Sequence, residues 1–352
     1  MTSTMPPFAF APIRGLELQC DFLVSSAALF GSGARYVPSR TAVHEKFSHV
    51  HLHTGRVPLS AYPAIAEPGR MDDATLSAVA SVPEQRLGDQ TCLFVELAEF
   101  DDEVLTGELG DVGLLLDRVL AQGEQVLDVL RLFVFKPGVD ASIGALGDVG
   151  HGVHCCWIGD AAERAVFVAR PRSRFQLVQP PLVLTLADVR EIYNSWIYQE
   201  LSGAACSWPV EDPLLSRAFV ALRAIRESKD SQAPENRARQ LFSAAEHLAS
   251  RTPSERLRGR ELRDRISSIS DYREGRFAGS VSNAVVCDLW DNVRNKLAHG
   301  NPTIASLGRD PVADCRNLEA LVMNLVDAIV TAWRHEDFFP NRDAYDILLG
   351  SA

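Results

Sequence analysis

Residues 289–300 read Leu-Trp-Asp-Asn-Val-Arg-Asn-Lys-Leu-Ala-His-Gly. On a wheel of about 100° per residue, Leu289, Trp290, Val293 and Leu297 fall within about 60° of Val286. Asp291, Asn295 and His299 recur every fourth residue on the opposite side, at about 140°, 180° and 220°. Arg294 lies on the flank at about 80°, where its long stem can lean over the polar row. An apolar stripe backed by polar residues predicts a helix packed against other helices. Gly300-Asn301-Pro302 is the stop signal that ends it.

The helical period extends in both directions from this stretch. Asp188 to Leu201 predicts a helix with Ile192, Trp196 and Ile197 inward. Asp212-Pro213 is an N-cap followed by Pro at the first helical position. That helix runs to about Glu227, burying Leu215, Phe219, Leu222 and Ile225. The next spans about Glu235 to Ser250 around Leu241, Phe242, Ala245 and Leu248. Thr252-Pro253-Ser254-Glu255 reads as a capping box opening a helix to about Ser270. Tyr272 to Val281 is a loop, and Asp310-Pro311 opens a last helix to about His335. Six helices joined by modest loops predict an α-helical bundle over residues 187–352.

Before Ala187 the pattern is strand-rich. Short branched or aromatic runs occur at Cys92–Glu96, Arg131–Phe135, Val153–Ile158, Ala165–Ala169, Phe175–Val178 and Pro181–Leu186. Gly and Pro punctuate them. One helix, Asp111 to Leu130, is expected among them, with Val119 and Leu127 near its buried face. The fold class is therefore α+β: a strand-rich regulatory domain over 1–186, then an all-α bundle.

Composition agrees with two globular domains. The chain has 352 residues, 46% hydrophobic and 23% charged. That is ordinary for a chain that buries a core, and it excludes disorder. The 35 basic and 46 acidic side chains give a net charge of −11. Such a balance argues against indiscriminate coating of nucleic acid or an anionic membrane. The charge is uneven, however. Residues 211–352 carry 20 basic and 21 acidic side chains, which leaves 15 and 25 for residues 1–210. Seven cysteines at irregular spacing, with no Cys-x-x-Cys pair, point to reduced thiols. No signal peptide and no apolar run of 18 residues is apparent. A soluble, cytoplasmic protein is expected.

The polar row of the 289–300 helix carries the chemistry. His299 sits in the last turn, where exposed carbonyls attract a protonated ring. An unperturbed imidazole titrates at about 6.5, the range in which it can give or take a proton. A guanidinium nearby can hold a phosphate and stabilise charge developing on it. Together they suit RNA cleavage through the 2′-hydroxyl, which supplies its own nucleophile. No metal and no cofactor is called for.

Arg294-Asn295-(x)3-His299-Gly300 resembles the Arg-x(4–6)-His signature of HEPN domains. The wider region, roughly Asp212 to Glu336, is similar to the Apea-like HEPN branch. Ala244-Ala245-Glu246-His247-Leu248 resembles its "Ala-Leu-Glu" motif, an arginine-bearing helix follows at Leu262 to Ile269, and Leu289 to Gly300 matches its Arg–His segment. Ala245 stands where that motif has Leu, and Asn292 where an apolar or variable residue is usual. The resemblance implies a metal-independent endoribonuclease acting as a homodimer, its two Arg–His motifs meeting across the two-fold axis. Such proteins serve as toxins or in antiphage abortive infection, cleaving tRNA or other RNA. By position, His299 would be the acid/base and Arg294 the phosphate binder. Asn295 would orient them, and Glu246 would be a supporting acid on a neighbouring helix. Lys296, Arg239 and Arg263 are the candidate RNA-binding cations. The N-terminal domain would then receive the phage or cellular trigger.

Other readings start from other residues. The arginines at 251, 256, 258, 260, 263, 265, 273 and 276 could line an RNA groove. With acids at 255, 261, 264, 271 and 274 among them, they also read as a salt-bridged exposed helix. His49-Val50-His51-Leu52-His53 would place three imidazoles on one strand face, as a metal-dependent enzyme would require. It reads equally as a solvated face over buried Val50 and Leu52. A catalytically inactive HEPN-like bundle, kept for dimerisation or binding, is the remaining alternative.

Overall fold

The computed structural model describes residues 8–18, 22–24, 27–30, 64–66, 91–96, 112–136, 143–148, 153–159, 165–171, 182–206, 210–231, 233–252, 254–300, 303–336 and 343–350. The chain divides into two compact units, 1–133 with 140–208, and 134–139 with 209–352.

The first unit holds the described strands. They are β1 (Phe8–Ile13), β2 (Leu16–Leu18), β3 (Phe22–Val24), β4 (Ala27–Phe30), β5 (Ala64–Ala66), β6 (Thr91–Glu96), β7 (Val153–Gly159), β8 (Ala165–Pro171) and β9 (Leu182–Leu184). Seven form one sheet in the order β3-β4-β6-β1-β7-β8-β5, while β2 and β9 make a separate parallel pair. β1 lies inside the sheet, antiparallel to both β6 and β7, with Phe10 opposite Phe94 and Trp157. The segment Arg131–Phe135 departs from expectation. Arg131 to Val134 are the last turn of helix α1 (Val112–Val134), not a strand. Leu127, Leu130 and Phe133 continue the buried helical spacing. Arg131 also pairs with Glu124 at 2.7 Å and Asp128 at 2.5 Å on its own helix, a contact only helical geometry allows.

The expected 187–201 helix is two helices, α2 (Leu186–Asn194) and α3 (Trp196–Cys206). Thr185 and Asp188 cap α2 reciprocally. The break at Ser195 restarts the phase, so Trp196 is exposed rather than inward. Both helices belong to the first unit, so the division falls after Trp208 instead of after residue 186. Tyr198 meets Phe133 edge-to-face at 5.2 Å, and Gln125 donates to the Ala205 carbonyl, which ties α3 to α1.

The second unit is helical: α4 (Pro213–Lys229), α5 (Pro234–Ala249), α6 (Gly259–Ser270), α7 (Asn283–Leu289), α8 (Asn295–Ala298), α9 (Pro311–His335) and α10 (Ala344–Leu348). A wide π turn, Trp290–Arg294, joins α7 to α8. α9 is the central rod, buried continuously from Leu318 to Ala332 and packed against α4, α5, α6 and α10. Burying each of its large apolar side chains contributes about 1.5–3 kcal/mol. Its polar residues are bonded inside: Glu319 to Lys229 and Arg237, Asn324 to the Ser270 carbonyl, Thr331 to the Asp327 carbonyl. Asp212 accepts from Leu214 and Leu215 and also from Trp333 Nε1, so one cap fastens α4 to α9.

Thr252 does not open α6. The helix begins at Gly259, and Glu255 instead accepts from the Arg251 amide and from Arg265. Two arginines outcompeted the local capping box for that carboxylate.

Candidate functional site

Ser282 caps α7, its hydroxyl accepting from the Val285 amide. Val286, Leu289, Trp290, Val293 and Leu297 are all buried, as the wheel required. The helix is nevertheless not continuous. At Trp290 it widens, and the Asn295 amide donates to the Trp290 carbonyl, five residues back. π turns of this kind insert a residue into a helix and are frequent at functional sites. α8 then completes one turn, ending where the His299 amide donates to the Asn295 carbonyl at 3.1 Å. Gly300 follows with φ +88°, the left-handed position that lets the chain turn off the helix.

The structure brings Arg294 and Glu246 together. Glu246 stands on α5, and its Oε1 accepts from Arg294 Nε at 2.9 Å and lies 2.9 Å from a terminal guanidinium nitrogen. The guanidinium carbon also lies 5.9 Å from the centre of the Trp290 ring. Trp290 in turn packs edge-on to Phe242 of α5 at 5.4 Å. Buried aromatics therefore set the height of the guanidinium, and a carboxylate sets its direction. Arg294 leans toward α5 rather than over the Asp291–His299 row, because Glu246 supplies the stronger, charge-assisted partner. The two side chains remain about a third exposed, so the face is open to a ligand.

His299 is exposed at the end of α8, and among the described residues its ring makes no side-chain hydrogen bond. Asn295 is half-buried between them. Lys296 is exposed on the same turn. Arg239 is exposed on α5, seven residues before Glu246, which places it within about 20° of that residue's face. Arg263 is not a free cation: it bonds Asp264 and also Asp291 of the π turn, each at 3.0 Å. Of the arginines on 251–276, Arg251 is held by Asp343 and Asp346, and Arg265 by Glu255. Arg256 and Arg258 are exposed, with no ion pair among the described residues. His49, His51 and His53 lie outside the described residues.

Two residues that frame the site carry no sequence signal of their own. Arg309 grips Asp288 through two nitrogens, at 3.1 and 2.6 Å, and Asp314 at 2.6 and 2.7 Å. Asn292, inside the π turn, donates to Asp288 at 2.7 Å. Arg309 and Asn292 hold the Asp288 carboxyl below the usual carboxylate range. Only the Asp288–Asn292 spacing of four was available from the sequence.

No helix among the described residues is long and apolar enough to cross a membrane. No family model, no curated protein and no solved structure matches the chain.

Proposed function

We propose that the chain is a metal-independent endoribonuclease of the HEPN type, acting through Arg294 and His299. Its second unit is the HEPN-like bundle of an α+β chain. The observation that carries this reading is the Arg294–Glu246 pair: an arginine steered by a carboxylate, on an open face, one turn before an exposed helix-terminal histidine. Arg294 contacts a non-bridging phosphate oxygen and stabilises the charge that grows on phosphorus. His299 accepts the proton of the attacking 2′-hydroxyl or donates one to the departing 5′-oxygen. The phosphorus–5′-oxygen bond breaks as the 2′-oxygen bond forms, leaving a 2′,3′-cyclic phosphate and a 5′-hydroxyl. Asn295 orients the two groups, and Glu246 positions Arg294.

A second protomer's motif across a two-fold axis completes the cleft. The exposed cations Arg239, Lys296, Arg256 and Arg258 carry the RNA backbone, while Arg263 braces the π turn. The strand-rich unit takes the activating phage or cellular trigger, and the biological role is toxin-type or abortive-infection defence, with tRNA among the substrates.

The test is to incubate the purified chain and its His299→Ala variant with total RNA in EDTA. The proposal expects cleavage by the parent and none by the variant. Equal cleavage by both, or none by the parent, overturns it.

A further inference from the structure

Ile304, four residues past Gly300, is fully buried, and its amide donates to Glu235 of α5 at 2.9 Å. A short 3-10 turn, Ala305–Leu307, follows, and Gly308 adopts φ +70°. That reversal delivers Arg309 back to α7. Arg309 uses Nε and both terminal nitrogens, gripping Asp288 on one side and nearly buried Asp314 on the other. A planar fork meeting two carboxylates fixes geometry as well as energy. The Asp288–Arg309 contact closes a loop of chain whose ends are 21 residues apart. Inside that loop lie Trp290, Arg294, Asn295 and His299. The carboxylate that receives Arg309 also receives Asn292, so one side chain ties the π turn to the segment that follows His299.

We infer that Asp288 and Arg309 are positioning residues for the Arg294–His299 site, a clamp that sets the π turn and the direction of α8 without touching substrate. The inference rests on the endoribonuclease reading for its catalytic consequence, but its structural half stands apart. Neither group is free to bind RNA, since Arg309 is spent on two carboxylates. The clamp acts through Asn292 on one side and through the Ile304 anchor and the turn ending at Gly308 on the other.

The test uses the full chain with Asp288→Asn, Arg309→Gln and the double substitution. Two readouts are taken: kcat and KM on a short fluorogenic RNA, and amide hydrogen exchange of peptides covering 289–300 and α9. The clamp predicts faster exchange over 289–300 in each single variant, with exchange unchanged over the buried core of α9, 318–332, beyond the turn that Arg309 also holds. It predicts kcat lower by about tenfold, KM within about twofold, and a double variant no worse than the poorer single one. Unchanged exchange over 289–300 overturns the clamp, as does exchange that rises equally over 318–332 of α9. Faster exchange with unchanged kcat overturns the positioning role. If the parent cleaves no RNA, the endoribonuclease reading falls, and the exchange measurement still decides the clamp.

Discussion

Both Nε and a terminal nitrogen of Arg294 lie 2.9 Å from the same oxygen of Glu246, a residue 48 positions earlier on another helix. A half-exposed pair of this kind adds little to stability, at most about 1 kcal/mol. Its consequence is orientation. Glu246→Gln is expected to lower kcat about tenfold while the unfolding free energy changes by less than about 1 kcal/mol. Arg294→Ala removes the charge itself and is expected to cost about 10²–10³ in kcat. Steady-state cleavage and denaturant melts on the same preparations check both; a large stability loss in Glu246→Gln contradicts the assignment.

Trp290 makes a different prediction. It is buried, packs edge-on to Phe242, and its indole nitrogen has no hydrogen-bond partner among the described residues. Trp290→Phe therefore removes an unsatisfied donor along with some volume, and the two effects offset to about 1 kcal/mol. Trp290→Ala opens a cavity and is expected to cost about 3–5 kcal/mol. Urea unfolding of both variants separates these outcomes.

Asp327 gives the protein a pH signature. Burial pushes its carboxyl up to about 6 from the usual 3.8, against the pull of the Phe277 amide that it accepts and the nearby Arg276 charge. A carboxyl raised in the folded state binds its proton more tightly there than in the unfolded chain. Its contribution is therefore fully present below about 3.8 and lost as pH rises through about 6. The difference is about 3 kcal/mol at the ordinary conversion of pKa to free energy. Asp327→Asn should remove that component, flattening stability between pH 4 and 7 by about this amount. Melts across that range check it, and identical pH profiles for parent and variant contradict it.

One buried hydroxyl ties α10 to α5. Tyr345 Oη reaches the carbonyls of Leu248, at 2.7 Å, and Ser250, at 2.9 Å, and takes a bond from buried Arg217. Tyr345→Phe leaves those buried groups short of a partner and is expected to cost about 1–3 kcal/mol. Differential scanning calorimetry measures it.

The bundle was legible where local chemistry decided the outcome. Asp212-Pro213 and Asp310-Pro311 each combine an N-cap with Pro at the first position, and both open helices there. Apolar spacing placed the buried faces of α4, α5 and α9. Legibility failed where a competing side-chain partner decided. Thr252 lost Glu255 to Arg251 and Arg265, and Arg131–Phe135 reads as a strand until Glu124 and Asp128 are seen beside it. The π turn left no trace, because Val286, Leu289, Trp290, Val293 and Leu297 fit a narrow or a wide turn equally well. Arg294 and His299 were visible as a motif, and Glu246 as a resemblance. The Arg263–Asp291 and Arg309–Asp288 contacts were not, since they join elements that only packing brings together.

Cleavage through the substrate's own 2′-hydroxyl leaves a chemical signature in the ends it produces. The most direct measurement is the chemistry of the ends produced in EDTA from an RNA oligonucleotide and from its counterpart with 2′-deoxy sugars throughout. The proposed chemistry predicts 2′,3′-cyclic phosphate and 5′-hydroxyl ends from the first and no cleavage of the second. Ends bearing 3′-hydroxyl and 5′-phosphate, or cleavage of the deoxy oligonucleotide, would contradict it.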